Sequence, residues 1–213
     1  EISRDQMAGL TEQAKQLGAT TRFTASQVGE LQTELAKLGF DQGQIEAMTG
    51  SVLNLAGATG TDLAEASTVV GSTLRAFGMS AEDTGRLTDV MAKSFSSSAL
   101  DMSKFSTAMA SVAPVAKSAG LNVEETTAML GGLVDNGIDA STAGTALRNI
   151  FLDLSKSGMT YKQAMEEIST STNKNKTAME LFGKRGATVA TVLAEQSGHV
   201  EELTQKMYES AGA

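Results

Sequence analysis

His199 is the only histidine in the chain, and histidine is the side chain best suited to move protons near neutral pH. It stands alone between Gly198 and Val200. A catalytic histidine needs a nucleophile or an orienting carboxylate beside it, and nothing in the local sequence supplies either. A surface position at a helix start accounts for it. Carboxylates occur in pairs such as Glu82-Asp83 and Glu124-Glu125, where first turns of helices are expected and negative charge complements the helix dipole. A glycosidase needs two carboxyl groups poised across a cleft, and no local spacing marks such a pair. Cysteine is absent, which removes disulfides, thiolate nucleophiles and cysteine metal sites. Gly183-Lys184-Arg185-Gly186 is too short for a phosphate-binding loop and lacks the strand such a loop follows. The residues therefore predict a non-catalytic protein with no metal and no cofactor.

The elements behind these residues follow from composition. Ala, Thr, Ser and Gly supply 96 of 213 residues, aromatics 4%, and there is one proline. Aromatic-rich strands are excluded. Closely approaching helices with modest side chains between them fit instead. The net charge of −8 argues against nucleic-acid binding, which depends on neutralising phosphates. Lys174, Lys176, Lys184 and Arg185 form a mildly basic stretch, read as a solvated face. No apolar run reaches the length of a membrane span. The chain begins at Glu1 rather than Met and reads as a piece of something longer.

Apolar residues recur at helical spacing almost everywhere. Val28, Leu31, Leu35 and Leu38 form one stripe; Ile45, Met48, Val52 and Leu55 form another. Met102, Phe105, Met109, Val112 and Ala116 repeat the pattern, as do Ala140, Ala143, Leu147, Ile150 and Leu154. No segment alternates, so no sheet is expected. Five triplets cut the stripes: Gly39-Phe40-Asp41, Gly78-Met79-Ser80, Gly120-Leu121-Asn122, Gly137-Ile138-Asp139 and Gly158-Met159-Thr160. In each, a glycine past a helix end is followed by an apolar residue that packs back, then by a residue that caps the next helix. Thr61 and Asp101 are further expected caps. The glycines at 39, 78, 120 and 158 bound three hairpins of about forty residues each.

The fold class is thus all-α: a compact bundle of successive short helical hairpins, about eight to ten helices, with no sheet. An N-terminal helix over 1–19, continuing one upstream, precedes a helical-hairpin core at 20–160. Residues 161–213 form short helices around a polar linker near 169–176, with Gly183, Gly186 and Gly198 between them. Pro114 is a hinge candidate: it removes one helical bond and predicts a kink, or a break near Val112. Small residues four apart, Ser67 and Gly71 or Ala140 and Gly144, permit close helix contact.

One stretch is more specific. Residues 136–154, NGIDASTAGTALRNIFLDL, carry a G-I-x-x-S-x-A-G-T-A-L-R run followed by an apolar helix. This resembles the signature of the phage tail tape measure protein core region. Leu181-Phe182-Gly183-Lys184-Arg185-Gly186 is similar to the same family's downstream L-F-G-x-R motif. The resemblance covers roughly residues 18–195. It marks Gly137, Asp139, Ala143, Gly144, Thr145, Leu147, Arg148, Phe182, Gly183 and Arg185 as structural motif residues. Asp139 is read as a cap, Ala143 and Gly144 as a smooth face, and Arg148 as a structural arginine whose donors bind loop carbonyls.

The resemblance implies a structural component of a phage or prophage tail, involved in tail assembly, length determination and genome delivery. It implies a place in the virion tail, inside the tube, with assembly in the bacterial cytoplasm. The partners implied are other tape measure chains, tail tube and tail-tip or baseplate proteins, tail assembly chaperones and, at ejection, the host membrane; sequence-specific nucleic-acid binding is not among them. A ruler needs long uninterrupted helix, and this segment breaks every twenty residues or so, so it reads as a globular module. The alternatives are a membrane-active bundle that rearranges on ejection and a non-catalytic interaction module.

Overall fold

The structure, a computed structural model, describes residues 4–212; the first residues of the expected 1–19 helix, and residue 213, lie outside them. Eleven α-helices and no strand occur among the described residues, one helix beyond the expected range. They are α1 (Arg4–Thr20), α2 (Ala25–Lys37), α3 (Gln42–Thr59), α4 (Leu63–Phe77), α5 (Thr84–Ser97), α6 (Met102–Ala116), α7 (Val123–Asp135), α8 (Ala140–Ser157), α9 (Tyr161–Thr170), α10 (Lys174–Glu195) and α11 (Ser197–Ser210). Single 3₁₀ turns at Ala81–Asp83 and Lys117–Ala119 precede α5 and follow α6.

At all five triplets the glycine takes a positive φ past a helix end. Ser80 departs from the expected cap: its N–H and hydroxyl donate to Asp83 Oδ2, and it opens only a 3₁₀ turn before α5. Asp41, Asn122 and Thr160 each accept from a backbone N–H three residues on, and a Gln or Glu there reaches back to close a capping box. The apolar residue of four corners closes a six-to-one bond onto the helix it leaves: Phe40 N to Leu35 O, Met79 N to Leu74 O, Leu121 N to Ala116 O and Ile138 N to Leu133 O. At the fifth, Gly158 N donates to Leu154 O. Asp101 caps α6 as expected. Thr61 does not cap α4: Asp62 does, accepting from Ala64 N and Glu65 N, because Gly60 closes α3 and Thr61 takes the intermediate place.

Three further expectations change. The polar stretch near 169–176 is not a linker of that length; only 171–173 lie outside helix. Its polar residues make a corner, with Asn173 accepting from Lys176 N and Thr177 Oγ1 donating to Ser171 Oγ. Gly186 and Gly198 do not separate helices, since α10 runs through the first and α11 contains the second. Pro114 does not break α6 near Val112. Val112, Ala113 and Ala116 are all buried and hold the helix through the proline, whose own ring is exposed.

The contacts gather into two compact units, Glu1–Ala92 and Lys93–Ala213. In the first, α2 packs on α1 and α4, and α3 on α1, α2 and α4. Gly71 of α4 faces Leu38 and Phe40, and the Arg75 guanidinium covers the Phe40 ring at 4.7 Å. In the second, α8 is central: it packs most extensively on α6 and also on α7 and α10, while α11 lies on α7 and α9 on α10. The stripes read from the sequence are the core: every apolar residue named for α3, α6 and α8 is buried. Seven of the eleven methionines are buried there as well.

Candidate functional site

The signature run begins at the α7–α8 corner. Gly137 takes φ +78°, which L side chains rarely adopt, and Ile138 bonds back to Leu133 O. Asp139 Oδ1 then accepts from Ser141 N at 3.0 Å and Thr142 N at 3.2 Å. These bonds satisfy two of the free N–H groups of α8 and fix its direction. From there Ala140, Ala143, Gly144, Leu147, Ile150 and Leu154 face inward. At Gly144 the approach is closest: a Cβ there would lie 2.5 Å from Ala108 O and 2.7 Å from Ala108 Cα. The helices α6 and α8 therefore meet backbone to backbone.

Thr145 and Arg148 lie on the other side of α8 and are exposed. Arg148 does not bind loop carbonyls as its sequence context suggests. No described residue accepts a hydrogen bond from it, because the helix turns its side chain outward, off the inward stripe.

The second motif meets the first across the α8–α10 contact. Phe182 is buried. Gly183 takes φ +60°, ψ −176°, a conformation essentially confined to glycine, and bends α10 sharply there. One turn on, a Cβ on Gly186 would lie 2.8 Å from Phe182 Cβ and 3.3 Å from Ile150 Cγ1. Gly186 is thus a packing glycine that lets the second half of α10 settle against α8. A surface cavity of about 330 Å³ marks the junction, walled by Asn149, Asp153 and Lys156 of α8 and by Phe182–Arg185 of α10. Lys156 pairs with Asp153 at 3.2 Å. Lys184 and Arg185 are exposed and pair with no described residue. The structure brings Phe182 and Gly183 beside α8, while Gly137 and Asp139 sit at its start.

A larger groove of about 450 Å³ opens between α7, α9 and α11. Leu121, Met129, Met165 and Val200 supply its apolar surface; Glu125, Glu166, Glu201 and Lys162 supply its charges. Tyr161 lies in its wall, with a buried hydroxyl that has no hydrogen-bond partner. Burial pushes that phenol far above the ordinary tyrosine range, so it stays a protonated donor.

Sequence reading missed the polar ties beside this groove. Asp135 Oδ1 accepts from Ala99 N at 2.6 Å and Asp135 Oδ2 lies 3.0 Å from His199 Nε2. Asn122 Nδ2 donates to the Tyr208 hydroxyl at 2.6 Å. His199 is in the first turn of α11, as expected, and has an orienting carboxylate but no nucleophile in contact. The partners are 36 to 86 residues apart in sequence, and no local spacing signals them. No group of three or more His, Cys, Asp or Glu able to hold a metal occurs among the described residues. None of the described helices is long and apolar enough to cross a membrane.

These arrangements cap, pack and present charge. The comparisons with known proteins agree with the motifs. The chain is 38% identical over 168 residues, 78% of its length, to a tape measure protein of Pneumococcus phage Dp-1. It is 32% identical over 171 residues, 80% of its length, to a probable tape measure protein of Escherichia phage P2. It spans only 14% and 21% of the length of those relatives. No solved structure matches. The family of phage-related minor tail proteins matches residues 11–211, nearly the whole chain, and the chain belongs to that family, among the tape measure proteins.

Proposed function

We propose that this chain is a folded helical module of a tape measure protein, a structural part of a phage or prophage tail acting in tail assembly, length determination and genome delivery. The observation that carries this reading is the 38% identity to a tape measure protein over 78% of the chain. The module works without catalysis, inside the tail tube, after assembly in the bacterial cytoplasm. Its partners are other chains of its kind, tube and tail-tip or baseplate proteins, and assembly chaperones.

The module is not the ruler. Among the described residues the longest unbent helices, α3 and α8, have 18 residues, or about 27 Å at the α-helical rise. With 14% and 21% of the relatives' length covered, more than three-quarters of each remains available for measuring. Within the module the motif residues act structurally: Gly137 and Asp139 aim α8, Ala143, Gly144 and Leu147 seat it, and Phe182 and Gly183 place α10 on it. Thr145, Arg148 and Arg185 present the outer surface.

A phage carrying Gly144→Leu in this segment tests the proposal. Few tails should form, and electron micrographs of those that do should show the parental length. Normal numbers of infectious tails from a variant whose isolated module is unfolded would refute a structural role. Altered length would refute the division between module and ruler.

A further inference from the structure

We infer that two different faces of the Lys93–Ala213 unit fit each other between copies of this chain, with Met179 of one copy entering the α7–α9–α11 groove of the next. The inference rests on the reading of the chain as a part that assembles with its own kind. Met179 is 49% exposed on α10, and only Met7 is comparably exposed among the large apolar residues described. Its neighbours Ala178 and Phe182 are buried, so the inward face of α10 is already occupied and Met179 stands on the outer one.

The charges around the two faces are opposite. Along α10 lie Lys174, Lys176, Lys184 and Arg185 against Glu180 and Glu195, a net of two positive charges, with Lys176 3.8 Å from Glu180. Around the groove lie Glu125, Glu166 and Glu201 against Lys162, a net of two negative charges. The apolar part of the groove includes Met129 and Met165, whose flexible thioether side chains adapt to an incoming one of the same kind. At about 450 Å³ the groove has room for that side chain. In a chain of net charge −8, a cationic face with an apolar knob finds its complement on another copy. Because knob and groove are different patches, the contact is heterologous and joins copies head to tail.

Sedimentation velocity of the 213-residue chain over a micromolar to millimolar range tests this. The wild type should associate as concentration rises, and added salt should weaken the association. Met179→Glu and the double variant Glu166→Lys/Glu201→Lys should each weaken it by about tenfold or more. Circular dichroism should show both variants folded, since all three residues are exposed. Mixing the two should restore pairing, because one keeps the groove and the other the knob, and assembly should stop at two copies. A wild-type chain that stays monomeric throughout, or variants that associate like wild type, would overturn the interface. Either result leaves the tail role standing, since tail formation in the phage reads that role separately.

Discussion

Gly144 of α8 rests on the backbone of Ala108 in α6, with room for a hydrogen and no more: the carbonyl oxygen of Ala108 lies 2.5 Å from where a Cβ would be. Backbone cannot yield as a side-chain end can, so this contact fixes the spacing of the two most extensively packed helices.

Gly144→Ala should therefore destabilise the chain by about 2 kcal/mol despite alanine's better helix propensity, and Gly144→Leu by more. Thr145→Ala, one residue on and exposed, should change stability by less than about 0.5 kcal/mol. Urea unfolding followed by circular dichroism distinguishes them. Equal effects would mean that the α6–α8 contact is looser than described.

The same substitution should have opposite signs at two glycines near the C-terminus. Gly183→Ala forces a Cβ into φ +60°, ψ −176°, and should cost about 1–3 kcal/mol. Gly198 is helical with nothing within 4 Å of its would-be Cβ, so Gly198→Ala should gain about 0.5–1 kcal/mol. Thermal melts of the two variants give the comparison.

Asp135 joins the segment before α6 to α11 through Ala99 N and His199. Asp135→Ala leaves both without their acceptor and should cost about 1–3 kcal/mol. Hydrogen exchange should localise the loss: the Ala99 amide should exchange faster, whereas the Glu125 amide, bonded to Asn122, should keep its protection. Unchanged exchange at Ala99 would count against the tie.

Tyr161 predicts an alkaline limit. Its folded-state value is raised by burial, so the phenol is protonated in both states below about 10, and folding is unaffected there. Above that pH the unfolded chain ionises while the folded one resists, so stability falls as pH rises. In a Tyr208→Phe variant, which leaves Tyr161 as the single tyrosine, ultraviolet titration should show the phenolate appearing only with unfolding. Smooth ionisation of the folded chain near 10 would contradict the buried hydroxyl.

The corners were legible because each is written in about six consecutive residues: the glycine, the apolar residue behind it and the cap that follows. The stripes were legible for the same reason, and Ile45 to Leu55 and Ala140 to Leu154 are buried as their spacing requires. Errors arose where one residue type serves several geometries. Gly183, Gly186 and Gly198 look alike in sequence, yet one bends a helix, one admits a neighbouring side chain and one is simply helical. The polar residues at 169–176 suggested slack chain, whereas Asn173 and Thr177 use their side chains to turn a tight corner. Arg148 drew attention through its motif and turned out to face outward. Asp135, Asn122 and Tyr208 escaped notice because their meaning lies in partners that only the packed helices bring near.

The glycine corners have a consequence for how the chain regains its fold once it has been unfolded. A joint closed by bonds between residues five apart stores its instructions in its own short stretch of backbone. Drawing the chain out straight erases the distant contacts but leaves every such instruction in place. On refolding, each bend re-forms from its own neighbours before any far-off helix returns, and the hairpins then need only find one another.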